Sequence, residues 1–431
     1  MISRRDTLRA LAAAGLSAPV LAACGDSGSA PAKPAGGLRL VSADVPRSAG
    51  DLQAVPGAVT AMGGLTTDLW ATLPTSQNLA LSPYSIAVAL AMTANGAVDR
   101  TRQQMLDVLH VDSLSSYNGG LAALTQAVEG LSGPVKLYDG TPDEIGLAAA
   151  NALFGDRAVT WQRGFLTVLA KEYGAGMHVV DWRHATETAR ELVNGWTSEQ
   201  THGRIPQILP AGVVDDTTRL VLVDALYFKA PWLVPFDKGS TRTGTFHRVD
   251  GSTVDVPMMT SEDGPASYVG GRFFRAARIP YVGRTLAMTV ALPAPGHEAD
   301  ALAELLGSGL HAGGGGVASL RLSMPRWTYR VATDLTDPLK ALGMTLPFSD
   351  QADFSAMTTD AELVVSDVLH QTYVAVDEYG TEAAAATAVV MGETALPVSQ
   401  EVLVLDRPFL FVVHDAAHGT PLFVGRVADP S

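Results

Sequence analysis

The residue types that could carry covalent or metal chemistry are sparse and scattered in this chain. It holds ten histidines and a single cysteine. The pair His178 and His184 has no carboxylate pattern beside it that suggests a metal. There is no Gly-x-Ser-x-Gly turn, no Ser-x-x-Lys pair, no His-Glu-x-x-His helix and no Gly-rich phosphate loop ending in Lys. Gly25-Asp26-Ser27-Gly28-Ser29 has the composition of a nucleophile segment. It lies in a Gly, Ser, Pro and Ala stretch with no core behind it to hold a base or an oxyanion hole. Gly313-Gly314-Gly315-Gly316 lacks the strand-to-helix setting of a nucleotide loop and reads as surface. The expectation is a protein with no catalytic residue, no metal and no cofactor.

One segment invites a different behaviour, that of bending and moving into a sheet. An apolar run from Val364 to Val376 leads into Asp377-Glu378-Tyr379-Gly380-Thr381-Glu382, then Ala383-Ala384-Ala385-Ala386 and Thr387. Side chains alternate on a strand. Thr381, Ala383, Ala385 and Thr387 would share one face, all small enough for a buried slot. A loop built this way can bend at Gly380 and slide between two packed strands. An Ala-rich helix or linker is the other reading of the same composition.

The elements that would have to position such a loop read as an α+β fold. Helices are expected at Val59–Leu73, from Pro83 through Met92, and at Asp99–Leu109, Trp161–Tyr173 and Ala185–Gln200. Ser82 can cap the second, with Pro83 at its first position. Strands are expected at Ile145–Phe154, Met177–Asp181 and, as a long buried run, Arg219–Phe228. Beyond Pro231 strands dominate: Gly244–His247, Thr253–Met259, Ala276–Tyr281, Thr285–Leu292, Leu320–Met324, Tyr329–Thr333, Val402–His414 and Pro421–Val427, with a short helix at Asp334–Leu342. No internal repeat is visible.

Length, charge and the N-terminus bound the rest. The chain has 431 residues, 47% hydrophobic and 17% charged, enough for a large core. A net charge of −14 argues against nucleic acid and anionic membrane surfaces as electrostatic partners. One cysteine allows no intrachain disulfide. Ser3-Arg4-Arg5-Asp6-Thr7-Leu8 carries paired arginines of the twin-arginine type, with Thr7 where a bulky apolar residue is commoner, so the export route stays open. The apolar stretch that follows is too short for a lasting transmembrane helix and fits a signal sequence. It ends Leu21-Ala22-Ala23-Cys24-Gly25, which resembles a bacterial lipobox with Cys24 as the lipidated first mature residue. Removing residues 1–23 takes away three arginines and one aspartate and leaves −16. Residues 24–50 are expected to be a flexible tether, with residues 51–431 a single domain. The protein is expected outside the cell membrane, lipid-anchored at Cys24 or secreted.

From about Thr60 to Pro430 the chain resembles the serpins, serine protease inhibitors of the suicide-substrate type. The resemblance rests on Asn78–Ile86, on Asn194 through Ile205, and on Leu222 through Trp232 followed by Pro235-Phe236. Val256–Met259, Leu342–Met344 with Phe348–Ser355, Pro408–Phe411 and Phe423–Val427 complete it, all in the family's order. It implies three sheets, an exposed reactive-centre loop and a metastable state held by a kinetic barrier. It also implies a covalent complex with a target serine protease, trapped when the cut loop enters the main sheet as a new strand. Such a protein is not an enzyme, and a monomer is expected.

By the same resemblance, Glu378, Gly380, Thr381, Glu382, Ala383, Ala384, Ala385, Ala386 and Thr387 correspond to the hinge, whose small residues suit an inhibitory member. Ser82, Ser85 and His370 correspond to polar residues beneath the opening strands, and Trp232 to the aromatic at the top of the sheet. Asp224 stands where the family usually has Asn. Beside His370 it could form a charge-assisted bond and make sheet opening depend on pH; a tolerated polar swap is the simpler account. Counting from Glu378 puts the scissile bond at Thr394-Ala395. Counting back from Pro408 points nearer Pro397, and Glu393 and Leu396 are alternatives. Thr394 suits elastase-like or subtilisin-like targets, and a Glu393-Thr394 cut suits a Glu-specific protease. No Arg or Lys lies between Thr381 and Val404, which disfavours trypsin-like ones. The other function classes are a non-inhibitory serpin acting as a binding protein and a solute-uptake lipoprotein, the latter lacking any two-lobe pattern.

Overall fold

The computed structural model describes residues 37–137, 139–262, 264–310, 319–382 and 400–431. A helical layer forms first along the chain. Val55–Thr72 carries Pro56 in its first turn and buries Ala58, Met62, Leu65 and Leu69, spaced at the helical period. Pro83–Ala94 is capped by the Ser82 side chain, which accepts the Ser85 N–H at 3.2 Å. Every one of its residues is buried, as expected of a helix apolar on all sides.

Leu114–Glu129 is a helix that the sequence reading missed. Its first half, Leu-Ser-Ser-Tyr-Asn-Gly-Gly, has poor helix propensity. Packing decides instead: Tyr117, Leu121, Leu124 and Val128 form one buried stripe. Gly120 lets the backbones meet, because a Cβ there would lie 2.9 Å from the Ala54 carbonyl oxygen.

Three sheets follow, with helices concentrated in the N-terminal half. The main sheet runs in the order Arg39–Val41, Met177–Val180, Pro142–Asp156, Leu220–Pro231, Gly380–Thr381, Val368–Val376, Trp327–Asp334. Helix Thr186–Gln200 lies on its outer face, closing a small core of Ala150, Phe154, Trp182, Val193 and their neighbours. The main core lies on the other face, between sheet and helices. The second sheet is ordered Leu79–Leu81, Pro421–Val427, Phe409–Asp415, Leu286–Pro293, Phe274–Pro280, Ser267–Gly270. The third is Gln400–Val404, Ser319–Pro325, Thr253–Ser261, Arg242–His247.

Two expectations need correction. The run Val402–His414 is not one strand. It breaks at Asp406-Arg407-Pro408, since Pro cannot donate to a ladder, and its halves belong to the third and second sheets. The tether expected over 24–50 ends sooner, because Arg39–Val41 is already paired to Met177–Val180. Alternation at Val41, Ala43 and Val45, each half-buried, gives this stretch an inward face that composition alone had hidden.

Candidate functional site

The main sheet contains a seam. Along its lower half, Val368–Thr372 pairs directly and in parallel with Leu222–Leu226. Higher up the two strands separate, and Gly380–Thr381 occupies the gap, antiparallel to both: Thr381 is opposite Val376 on one side and Ala230 on the other. Gly380 is needed here, because a Cβ would sit 2.2 Å from the Ala230 carbonyl oxygen.

Aromatic and polar groups fix this upper end. Trp232 is fully buried and stacks on Tyr281, with centroids 4.5 Å apart. Its Nε1–H donates to the Asp377 carbonyl at 3.0 Å and its backbone N–H to Tyr379 O at 2.8 Å. The Tyr281 and Thr381 hydroxyls share a 2.7 Å hydrogen bond, so Thr381 faces inward and is buried. The Glu378 carboxylate is buried too. It accepts from the Thr241 hydroxyl at 2.7 Å and lies 3.6 Å from Arg326 Nη1. Glu382 has a φ of 52°, a left-handed turn that costs a non-glycine residue energy. It is held there by its N–H donating to Ala375 O at 2.8 Å and by an ion pair with Arg204. Burial raises the Glu382 pKa, with Arg204 pulling the other way.

The lower seam is closed by a buried polar group of different character. Asp224 and His370 face each other in register, both essentially inaccessible. The Ser82 N–H donates to His370 Nε2 at 3.0 Å, so the proton of the neutral ring belongs on Nδ1. That nitrogen lies 3.3 Å from Asp224 Oδ1 but out of line for a hydrogen bond. The charge-assisted bond weighed from sequence against a tolerated polar swap is therefore not formed in aligned geometry. Ser85 Oγ is also buried without a hydrogen bond. Desolvation pushes the Asp224 carboxyl above its usual range, with the nearby His370 opposing it.

The predicted residues thus form two groups. Ser82, Ser85, Asp224 and His370 meet at the lower seam, while Trp232, Glu378, Gly380, Thr381 and Glu382 meet at its top. Ala383–Ala386, Thr387, the bond candidates Glu393, Thr394, Ala395 and Leu396, and Cys24 lie outside the described residues. Tyr281, Thr241, Arg204 and Arg326 were missed as site residues. Each meets its site partners across 49 to 178 positions of sequence, for which no local motif exists.

Comparison with known proteins agrees with this arrangement. The family model described as Serpin (serine protease inhibitor) matches residues 60–430. The chain is 34% identical over 368 residues to Serpin-Z1B of Triticum aestivum, covering 82% of this chain and 90% of that protein. It is 35% identical to plasminogen activator inhibitor 1 of Neovison vison, covering 82% and 88%. It is 34% identical to the leukocyte elastase inhibitor of Bos taurus, covering 82% and 93%. Among solved structures, the thermophilic serpin tengpin in its native state superposes with a TM-score of 0.75 at 25% identity, over 91% of this chain and all of tengpin. Arabidopsis AtSerpin1 in its native stressed conformation does so at 0.72 and 28%, over 88% and 98%. A main sheet parted at its top by Gly380–Thr381, in a chain matched from residue 60 to residue 430, places this protein in the serpin family.

Proposed function

We propose that this serpin is a suicide-substrate inhibitor of serine proteases. Like other serpins it binds proteases and is not an enzyme. The observation that carries the reading is the seam, parted above by Gly380–Thr381 and closed below by direct strand pairing. The described chain leaves the main sheet at Glu382 and is next described in the third sheet, at Gln400. A protease cutting between them frees one end to continue down the seam.

Register and length support this. Thr381 opposite Ala230 in antiparallel register would bring Met391 opposite Leu220, where the strand begins. Thirteen further residues, Glu382 to Thr394, would span about 43 Å at ~3.3 Å each. Below Ala230 the strand runs from Lys229 to Leu220 and covers about 33 Å. A Thr394-Ala395 cut thus leaves enough chain to line the seam, with Gly392, Glu393 and Thr394 to carry the acyl-enzyme past its lower end. Residues of the Thr381 phase, Ala383, Ala385 and Thr387, would enter the core as small side chains.

The mature protein should be mixed with elastase-like, subtilisin-like and Glu-specific proteases. A band at the summed mass on denaturing gels, with a released peptide starting at Ala395, is the expected result. Clean cleavage by all three with no such band would overturn the inhibitory reading in favour of a binding role. We also propose export and lipidation at Cys24, which places the inhibitor outside the cell membrane. Cys24→Ser should then release the protein from membranes and lower its mass by the lipid.

A further inference from the structure

We propose that a cleft at one end of the second sheet binds a small free carboxylic acid with an apolar tail, such as a medium-chain fatty acid. Two turns meet there, because Leu286 is opposite Asp415 in the register of the sheet. One turn joins Phe274–Pro280 to Leu286–Pro293, and the other joins Phe409–Asp415 to Pro421–Val427. The Ala416 N–H donates to Thr285 O at 2.9 Å and ties the turns together. Residues from the end of helix Leu114–Glu129 face them across the cleft, whose volume is about 340 Å³. That is the size of a small-molecule site.

The helix supplies an apolar wall. Leu124, Ala127 and Val128 lie on one helix face, and Leu131 follows just beyond the helix end. Leu124 and Val128 are anchored in the main core, while Ala127 is exposed.

The turns supply a cation with no acid of the protein to answer it. Arg284 lines the cleft and is exposed, and among the described residues no carboxylate pairs with it. Its backbone is left-handed at φ 57°, directly after Gly283 at φ 82°. Such a backbone is strained for arginine and not for glycine. The acids nearby are already satisfied. Asp415 Oδ1 accepts from the N–H groups of Ala417 and His418 at 3.0 and 2.7 Å, and Oδ2 from the Thr420 N–H at 2.7 Å. The His418 ring adds a contact at 3.2 Å. Glu129, at the end of the helix, pairs with Arg47 at 2.7 Å. Arg284 therefore sets the sign of the rim. Thr420 also lines the cleft, and its buried hydroxyl has no hydrogen-bond partner. An apolar wall, an unanswered guanidinium and a spare hydroxyl suit one carboxylate on an apolar tail.

The test is calorimetric titration of the full mature chain carrying Cys24→Ser with hexanoate, octanoate and decanoate. Binding should be saturable and one-to-one, and affinity should rise about fourfold per added CH₂. Decanol should bind at least fivefold more weakly than decanoate. Arg284→Asn removes the charge with a residue that tolerates the left-handed backbone. It should lower decanoate affinity at least fivefold without lowering the melting temperature of the free protein. Ala127→Glu puts a carboxylate on the wall at an exposed helix position and should abolish binding. Equal affinity in the parent and both variants, equal binding of decanol and decanoate, or no saturable binding overturns the site. A dimer that Ala127→Glu dissociates gives the cleft to a second copy of the chain and overturns it too. Each of these results leaves the inhibitory reading standing.

Discussion

Replacing Asp224 by Asn tests whether the lower seam is held by a strained charge. The carboxylate is buried, no aligned hydrogen bond reaches either oxygen, and its nearest partner is His370 Nδ1 at 3.3 Å. Asn keeps the size but carries no charge to desolvate. A buried polar group without its bonds costs about 1–3 kcal/mol, so about 2 kcal/mol is at stake. Unfolding entropy of about 2.1 cal/mol/K per residue, over the Gly36–Ser431 unit, is about 0.8 kcal/mol per kelvin. Asp224→Asn should therefore melt about 2–3 °C higher at pH 8.

The sign with pH follows from burial. The folded-state pKa of Asp224 is raised above its unfolded value near 3.8. The stability this group contributes is full below pH 3.8 and lost as pH rises through the raised folded value. The gap between variant and wild type should thus be widest at pH 8 and close as pH falls towards 4. Loop-peptide uptake should be slower in the variant at pH 8, because its seam is tighter. A gap constant from pH 4 to 8, or a variant that melts lower at pH 8, would refute the reasoning.

Other outcomes follow from the same contacts. Thr381→Arg places a charge where a hydroxyl now meets Tyr281. It should abolish the covalent protease band while leaving loop cleavage intact on gels. Arg204→Ala removes the ion pair that holds Glu382 in its left-handed turn. Complex formation should speed up about two- to fivefold at low salt, a gain of under about 1 kcal/mol for a half-exposed pair, and the difference should fade at 1 M salt. Arg426 is fully buried against Glu298 and the carbonyls of Pro74 and Gln77. Arg426→Ala should cost about 3–5 kcal/mol, read as a melting temperature lower by several degrees.

Much of this protein is local and was legible in its residues. The run Arg219–Phe228, apolar but for Asp224 beyond its first residue, reads as a strand buried on both faces, and Ser82-Pro83 marks a helix start by cap chemistry. The passage from Val376 through Gly380 into small residues announces a segment able to enter a sheet. Steric size alone excludes most other sequences from that role. Ser82, Asp224 and His370, by contrast, lie far apart in sequence, and only the seam register puts a ring nitrogen 3.3 Å from a carboxylate. Tyr281 became a site residue because its strand end stacks on Trp232, a contact no pattern in either segment encodes. The helix Leu114–Glu129 and the stretch that docks before it have weak intrinsic preferences. Their structure comes from burial against neighbours that exist only once the chain has folded. Side-chain size, charge and backbone preference are properties of the residues themselves, whereas desolvation, ion pairing and strand pairing depend on which distant groups the fold brings within a few ångströms.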